Sequence, residues 1–246
     1  MDATFEHETA VPPIFVQDIP AVDDKWIECF ATVSSCDVAD AAGRLYTMEG
    51  IVPLYRPISR LVARAFTVKA WPGDGLAVHG AASMAGEGDV LVIDARGYAG
   101  VTGGGYNMLA GPRTRGLRGV VIDGAFRDVD DFQQEGFPIF GRSRSTHAST
   151  KRRPGEINVA VACGGVVVHA GDLVVADGEG VAVVPNAFLG EVWSALETNS
   201  RRPAPDPDAV LAGDRKRREN FDRAFAAANG RVLADSAPDK SVRGTG

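Results

Sequence analysis

Arg127 and Asp128 stand side by side, with Asp130 and Asp131 close behind, shortly after the apolar run Val120, Val121 and Ile122. A guanidinium is a planar, permanently charged fork for two oxygens, and a neighbouring carboxylate is a hard ligand for a divalent cation. Upstream, Gly103, Gly104 and Gly105 lead into Tyr106, Asn107, Met108, Leu109 and Ala110. Successive glycines ahead of a helix let backbone N–H groups approach an anion. An anion cradle, a guanidinium fork and a metal-binding carboxylate together suit a small α-keto acid. On spacing alone two plainer readings stay open. The glycines could be a flexible turn, and the Arg with its three acids could cap a helix, whose N-terminal dipole favours carboxylates.

The elements around these residues follow from apolar patterning. Val120 to Ile122 is a short continuous apolar run, the mark of a strand buried on both faces. Asp123-Gly124 is expected to break that strand with turn chemistry, and a helix should start near Asp128. The end of a buried strand is where open α/β sheets place their sites. Upstream, Ala65–Ala70 reads as a strand, and Trp71–Gly75 as a break. Leu76, Val78, His79, Ala81, Ala82 and Met84 read as a helix, and Val90–Asp94 as the next buried strand. Strand, helix, strand, glycine loop, helix and strand make an α/β core. Before it, Trp26, Ile27, Phe30 and Val33 recur at helical spacing, and Ser34-Ser35 can cap a second helix holding Val38, Ala39 and Ala42. Phe132–Gly136 should end a helix, and Pro138–Phe140 should begin a strand. From Ile157 to Val184, β-branched runs alternate with the turns Gly164-Gly165, Ala170–Asp172 and Asp177–Gly180, so this half is β-rich.

The expected organisation is an arm over residues 1–20, an α/β domain over 21–200, and a C-terminal helical extension with a flexible tail over 201–246. Pro203 to Pro207 separates a charged helix, about Asp208–Asn229, whose Val210, Leu211, Phe221 and Phe225 could dock on the body or on a neighbouring subunit. Arg142, Arg144, His147, Lys151, Arg152 and Arg153 read as a basic loop. It is either a solvated surface or a collar for a polyanionic substrate or another subunit's acids. Net charge of −6 over 246 residues argues against a general nucleic-acid binder. No apolar stretch reaches the ~18 residues of a membrane span, and no secretory leader is visible at the N-terminus. Cys29, Cys36 and Cys163 form no zinc or redox pair, so free thiols and a cytoplasmic location are expected.

The stretch from Gly105 to Asp131, with Arg-Gly-Leu-Arg-Gly-Val-Val-Ile-Asp-Gly-Ala-Phe-Arg-Asp at its centre, resembles the signature of the 4-hydroxy-4-methyl-2-oxoglutarate aldolase family. That family also contains the regulator of ribonuclease activity A. Gly136–Phe140, Cys163–Asp177, Asp40-Ala41, Leu61–Val68 and Gly88–Asp94 also fit, in order, so the resemblance covers roughly residues 25 to 190. It implies a single compact β/α swivelling-domain-like (phosphohistidine-domain-like) fold. It also implies a homotrimer or homohexamer with sites between subunits.

The resemblance implies a class II aldolase, a lyase that splits a 4-hydroxy-2-oxo di- or tricarboxylic acid to pyruvate and a second oxo acid with Mg²⁺ or Mn²⁺. Asp128 is then the metal ligand, and Arg127 pairs with the keto-acid oxygens and stabilises the developing charge. By resemblance, Gly105 and the amides of Asn107 and Met108 hold the pyruvyl carboxylate, and Asp131 is placed to hold metal-bound waters. Tyr106 departs from the pattern, because many family aldolases carry an acid there. Other chemistries find less support. Gly103–Gly105 does not match GxGxxG, no Gly-Lys-Ser/Thr exists for a P-loop, and the four histidines lack close metal spacing. His169 reads as structural, and His79 stays ambiguous. Of the five lysines, only Lys69 could serve a Schiff-base route, and a strand-end lysine reaching solvent is the plainer reading. An oxaloacetate-type decarboxylase needs the same enolate stabilisation, and a non-catalytic protein-binding regulator is the third alternative.

Overall fold

After the arm come two short helices, α1 (Asp24–Phe30) and α2 (Ser35–Ala41). Ser34 starts α2 with a reciprocal cap, accepting from the Asp37 amide while its own amide donates to the Asp37 carboxylate. The computed structural model describes residues 11–200 and 206–232, which belong to two compact units, residues 1–200 and 201–246. In the first unit the chain continues through β1 (Val52–Pro53), β2 (Leu61–Lys69), α3 (Leu76–Met84) and β3 (Asp89–Thr102). A 3-10 turn (Tyr106–Leu109) and α4 (Ala110–Thr114) lead to β4 (Gly119–Phe126), α5 (Val129–Glu135) and β5 (Ile139–Arg144). The remainder is β6 (Glu156–Ile157), β7 (Val161–Cys163), β8 (Val166–Val168), β9 (Leu173–Ala176), β10 (Val181–Val184) and α6 (Leu189–Ser200).

Strands β2, β3, β4 and β5 lie side by side and parallel, with helical crossovers between them. The full order is β1-β5-β4-β3-β2-β9-β10, with β1, β9 and β10 antiparallel to their neighbours and β6 also pairing with β2. The sheet is therefore mixed, and the α/β expectation with a β-rich second half holds. Arm residues join it too: the Val16 amide donates to the Ile157 carbonyl at 3.1 Å.

Both faces of the parallel strands are buried, which explains their continuous apolar sequences. Leu91, Ile93, Val120 and Ile122 point to a layer built from Val78, Ala81, Leu109 and Phe132 of the crossover segments. Their alternates Val90, Val92 and Val121 point the other way, onto Val161, Val166 and Val168 of the separate β7–β8 hairpin. Phe30 and Val38 pack with Leu173, Val175 and Leu196 in a third cluster that Trp26, Ile27 and Val33 flank.

One expectation fails at Asp123-Gly124, which does not break β4. The strand runs through it to Phe126. The buried Asp123 carboxylate is answered by Arg142 on β5 and by the Gly164 amide at 2.9 Å. A Cβ on Gly124 would lie 3.0 Å from the Ala95 Cβ, so glycine here permits close strand packing instead of a turn. Likewise Arg142 and Arg144 sit on β5, not in a loop, and Arg144 pairs with Asp130 at 2.9 Å. β3 is also longer than expected. Register shifts after Asp94 and Tyr98 let it continue to Thr102, delivering the chain to the glycines.

In the second unit, α7 (Pro207–Ala227) begins with Pro207 in its first turn and an Asp206 side chain that accepts from the Asp208 amide. Phe221 and Phe225 stack with centroids 5.5 Å apart. Residues 1–10 of the arm, Pro203, Pro205 and the expected tail Ala237–Gly246 lie outside the described residues. Among the described residues no helix is long and apolar enough to cross a membrane.

Candidate active site

Parallel neighbours β3 and β4 end at Thr102 and Phe126, and the segments leaving their carboxyl ends meet. The Gly103 amide donates to the Ala125 carbonyl at 2.8 Å, and the Arg127 amide donates to the Gly104 carbonyl at 3.2 Å. Thr102 tightens the bend, its hydroxyl donating to the Gly104 carbonyl. Close approach, not flexibility, requires glycine here. A Cβ on Gly104 would lie 2.9 Å from the Phe126 ring. One on Gly105 would strike Asp128 Oδ2 and lie 2.9 Å from Arg127 Cγ. Gly105 itself is extended, with φ −159°.

Asp128 occupies the position before α5 in the left-handed region, φ 57°, and its side chain makes no capping bond to that helix. One oxygen, Oδ2, instead accepts the Tyr106 amide at 3.0 Å and lies 3.6 Å from Arg127 Nε. The left-handed backbone aims the carboxylate across the strand ends, toward the glycine segment. The Asp128 side chain thus serves the neighbouring turn, while Asp130 and Asp131 lie in the first turn of α5, where the helix dipole favours carboxylates. Gly105, Asn107, Met108, Arg127 and Asp128 all line one cavity of about 390 Å³, together with His79, Thr102, Gly104, Ala148, Ser149 and Lys151.

The second wall is fixed by Asp74. Its buried carboxylate accepts from the Leu76 amide at 3.0 Å, the Thr150 hydroxyl at 2.7 Å and the Arg152 amide at 2.9 Å. These bonds tie the loop carrying Ser149 and Lys151 to the start of α3, which carries His79. Burial raises the Asp74 carboxyl, but the hydrogen bonds outweigh it and leave it below its ordinary value of 3.8. A depressed folded value means this stability is complete above the unfolded pKa and is lost as pH falls through the folded one. Asp74→Asn is therefore expected to cost about 2 kcal/mol at pH 7, roughly 4–8 °C in melting temperature. Thermal melts down a pH series should show the gap closing below about pH 4. His79 is half-buried, and burial, followed by the charge of Lys151, lowers its pKa, so the imidazole is held neutral.

Several residues considered in the sequence lie elsewhere. Asp131 is exposed on α5 and does not line the cavity. Lys69 pairs with Glu156 at the end of β2, and His169 is exposed, 3.7 Å from Asp172. The Tyr106 side chain leaves the cavity and hydrogen-bonds Glu135. Conversely, sequence reasoning misses Thr102 and Ser149. A Thr directly before three glycines is a local turn signal that could have marked the first, whereas Ser149 reaches the site through the tertiary bonds that Asp74, Gly75 and Thr102 make to its loop.

Among the described residues no group of three or more His, Cys, Asp or Glu side chains converges as a metal cage. The donor set nevertheless fits a magnesium-like ion. Asp128 is a hard carboxylate on the cavity wall, and its Oδ1 takes no hydrogen bond from any described residue. Mg²⁺ typically uses one or two carboxylates and fills its octahedron with water and substrate oxygens.

A model of the RraA-like family, described as Aldolase/RraA, matches residues 35–183. A Halalkalibacterium halodurans protein with the provisional name 4-hydroxy-4-methyl-2-oxoglutarate aldolase is 36% identical over 181 residues, 74% of this chain and 85% of the relative. A Burkholderia mallei protein with the same provisional name is 32% identical, over 65% of this chain and 98% of its own length. Among solved structures, Streptomyces coelicolor RraAS2, described as an unusual member of the RNase ES inhibitor RraA protein family, superposes with a TM-score of 0.64. Identity there is 26%, over 84% of this chain and 99% of that one. An uncharacterized Pseudomonas syringae protein gives 0.66 at 25% identity, over 74% and 90% of the two chains.

Proposed function

Because the chain belongs to the RraA-like family, whose described scope joins aldolases with RraA proteins, we propose that it is a divalent-metal-dependent lyase. It cleaves a 4-hydroxy-2-oxo di- or tricarboxylic acid to pyruvate and a second oxo acid. The observation that carries this reading is the meeting of Arg127, Asp128 and the Gly105–Met108 turn on one cavity wall. A volume of about 390 Å³ suits a small polar ligand. Asp128 would hold Mg²⁺ or Mn²⁺, which when bound would supply Lewis-acid stabilisation of the electron pair released as the C3–C4 bond breaks. The C4 hydroxyl gives its proton to water as it becomes the carbonyl of the second oxo acid, and C3 takes a proton from water to complete pyruvate. Arg127 grips two oxygens of the pyruvyl half and keeps its charge on them as negative charge develops. Asn107 and Met108 orient the same carboxylate at the head of the 3-10 turn. Neutral His79, Ser149 and cationic Lys151 form the remaining polar wall, which suits the carboxylate-bearing far end of the substrate.

A panel of 4-hydroxy-2-oxo acids and oxaloacetate, assayed for pyruvate with Mg²⁺ or Mn²⁺, tests the proposal. Release of pyruvate from oxaloacetate alone would make the protein a decarboxylase. No pyruvate from any member would favour a protein-binding regulator, the reading that the Streptomyces coelicolor neighbour, a member of an RNase ES inhibitor family, suggests.

The mixed sheet with its crossover helices is read as swivelling-domain-like, and the protein as cytoplasmic. Val52, Trp71, Tyr98 and Val167 are large apolar side chains left exposed on the first unit, surface that an assembly would cover. By the family resemblance, a homotrimer or homohexamer is expected by light scattering at micromolar concentration. A monomer would count against sites completed between subunits.

A further inference from the structure

Tyr106 lies along one face of α5 and is held at both ends by it. Its amide donates to Asp128 Oδ2 at 3.0 Å, at the start of that helix. Its ring meets Phe132 edge-on, with centroids 5.3 Å apart. Its phenol donates to Glu135 Oε1 in the last turn. Asp128, Phe132 and Glu135 are spaced by four and then three residues, so they share one helical face. Arg113 from α4 closes the arrangement from above. Its guanidinium carbon sits 4.1 Å from the Tyr106 ring centroid, and its Nη2 lies 3.3 Å from Glu135 Oε2.

The only contacts through which the described residues hold the Asp128 carboxylate are the Tyr106 amide and the Arg127 guanidinium 3.6 Å away. The amide is a backbone group, so its position depends on how firmly the rest of Tyr106 is anchored. We propose that Tyr106 is a positioning residue, a staple between the 3-10 turn and α5 that orients the Asp128 carboxylate for the cation, with Glu135 and Arg113 locking the staple. The proposal rests on the reading of Asp128 as the metal-binding carboxylate. It gives the tyrosine a physical role at a position where an acid is expected by resemblance: the side chain does not enter the cavity but fixes what does.

The test is Mn²⁺ affinity, read from the free-ion electron paramagnetic resonance signal, alongside kcat and KM with a pyruvate-yielding keto acid. Tyr106→Phe keeps the ring and loses the phenol bond; Tyr106→Leu loses the ring contacts as well. Tyr106→Phe is expected to weaken Mn²⁺ binding on the order of tenfold, and Tyr106→Leu by several tens of fold, as for the loss of groups that orient a metal ligand. Because the cavity-lining Arg127, Asn107 and Met108 remain, KM measured at saturating Mn²⁺ should change less than the Mn²⁺ affinity. Glu135→Gln, which still accepts the phenol proton, should recover most of the affinity lost in Glu135→Ala. Thermal melts identify any variant that fails to fold, and Tyr106→Phe is mild enough to serve if Tyr106→Leu does not. Wild-type Mn²⁺ affinity in folded Tyr106→Phe and Tyr106→Leu, with Asp128→Asn impaired, would overturn the staple and leave the metal reading intact. Equal Mn²⁺ affinity in wild type and Asp128→Asn would overturn both.

Discussion

Arg127→Ala is expected to lower kcat for keto-acid cleavage on the order of 10²-fold while leaving the protein folded. Removing one preorganised donor from a developing oxyanion typically costs 10²–10³-fold. The Arg127 side chain is 43% exposed, so solvent screens part of its field and the lower end of that range applies. Arg127→Lys separates charge from shape. It keeps a cation but loses the planar fork, and should fall between wild type and Arg127→Ala. Inhibition by pyruvate should weaken in the same order, because the fork that holds the substrate's pyruvyl half also holds the product. Stopped assays for pyruvate, with pyruvate as inhibitor, measure both effects. Cleavage by Arg127→Ala at the wild-type rate would reduce Arg127 to a partner for Asp128 and remove it from the cleavage chemistry.

The sequence makes some of this site legible and not the rest, for a physical reason. Arg127, Asp128 and the glycines are recognisable because their demands are local. A strand end, a close backbone approach and an adjacent guanidinium and carboxylate are all written in short stretches. The β/α alternation is legible for the same reason, since Val120, Val121 and Ile122 need two apolar layers whatever those layers are. Asp123 fails this test. Aspartate before glycine is a turn signal in isolation, yet Arg142 and the Gly164 amide satisfy the carboxylate from β5 and from the β7–β8 hairpin. Partners that distant override local propensity. Ser149 and Lys151 reach the cavity because Asp74 and backbone bonds from Gly75 and Thr102 hold their loop, and the direction of the Tyr106 side chain depends on Arg113 and Glu135 from two different helices. Such placements depend on tertiary contacts, which spacing along the chain does not encode.

Asp128→Asn should abolish productive cation binding with little change in the fold, and the backbone explains why asparagine is the informative choice. Asp128 sits at φ 57°, a region that asparagine tolerates about as well as aspartate, whereas alanine would add backbone strain. The asparagine carbonyl oxygen can still accept the Tyr106 amide, so the turn keeps its anchor. What disappears is the negative charge and one hard oxygen, the properties a magnesium-like ion requires. Melting temperature should therefore stay within a few degrees of wild type, a change of about 1 kcal/mol or less. Lewis-acid stabilisation is worth several kcal/mol, so turnover should fall by on the order of 10²-fold or more at Mg²⁺ concentrations that saturate the wild type. Chelation of wild type should reproduce that loss, and added Mg²⁺ or Mn²⁺ should reverse it in wild type but not in the variant. Full turnover in excess chelator would exclude Asp128 as a metal anchor. Borohydride trapping of pyruvate on Lys69 under those conditions would point to a Schiff base, a role its pairing with Glu156 outside the cavity argues against.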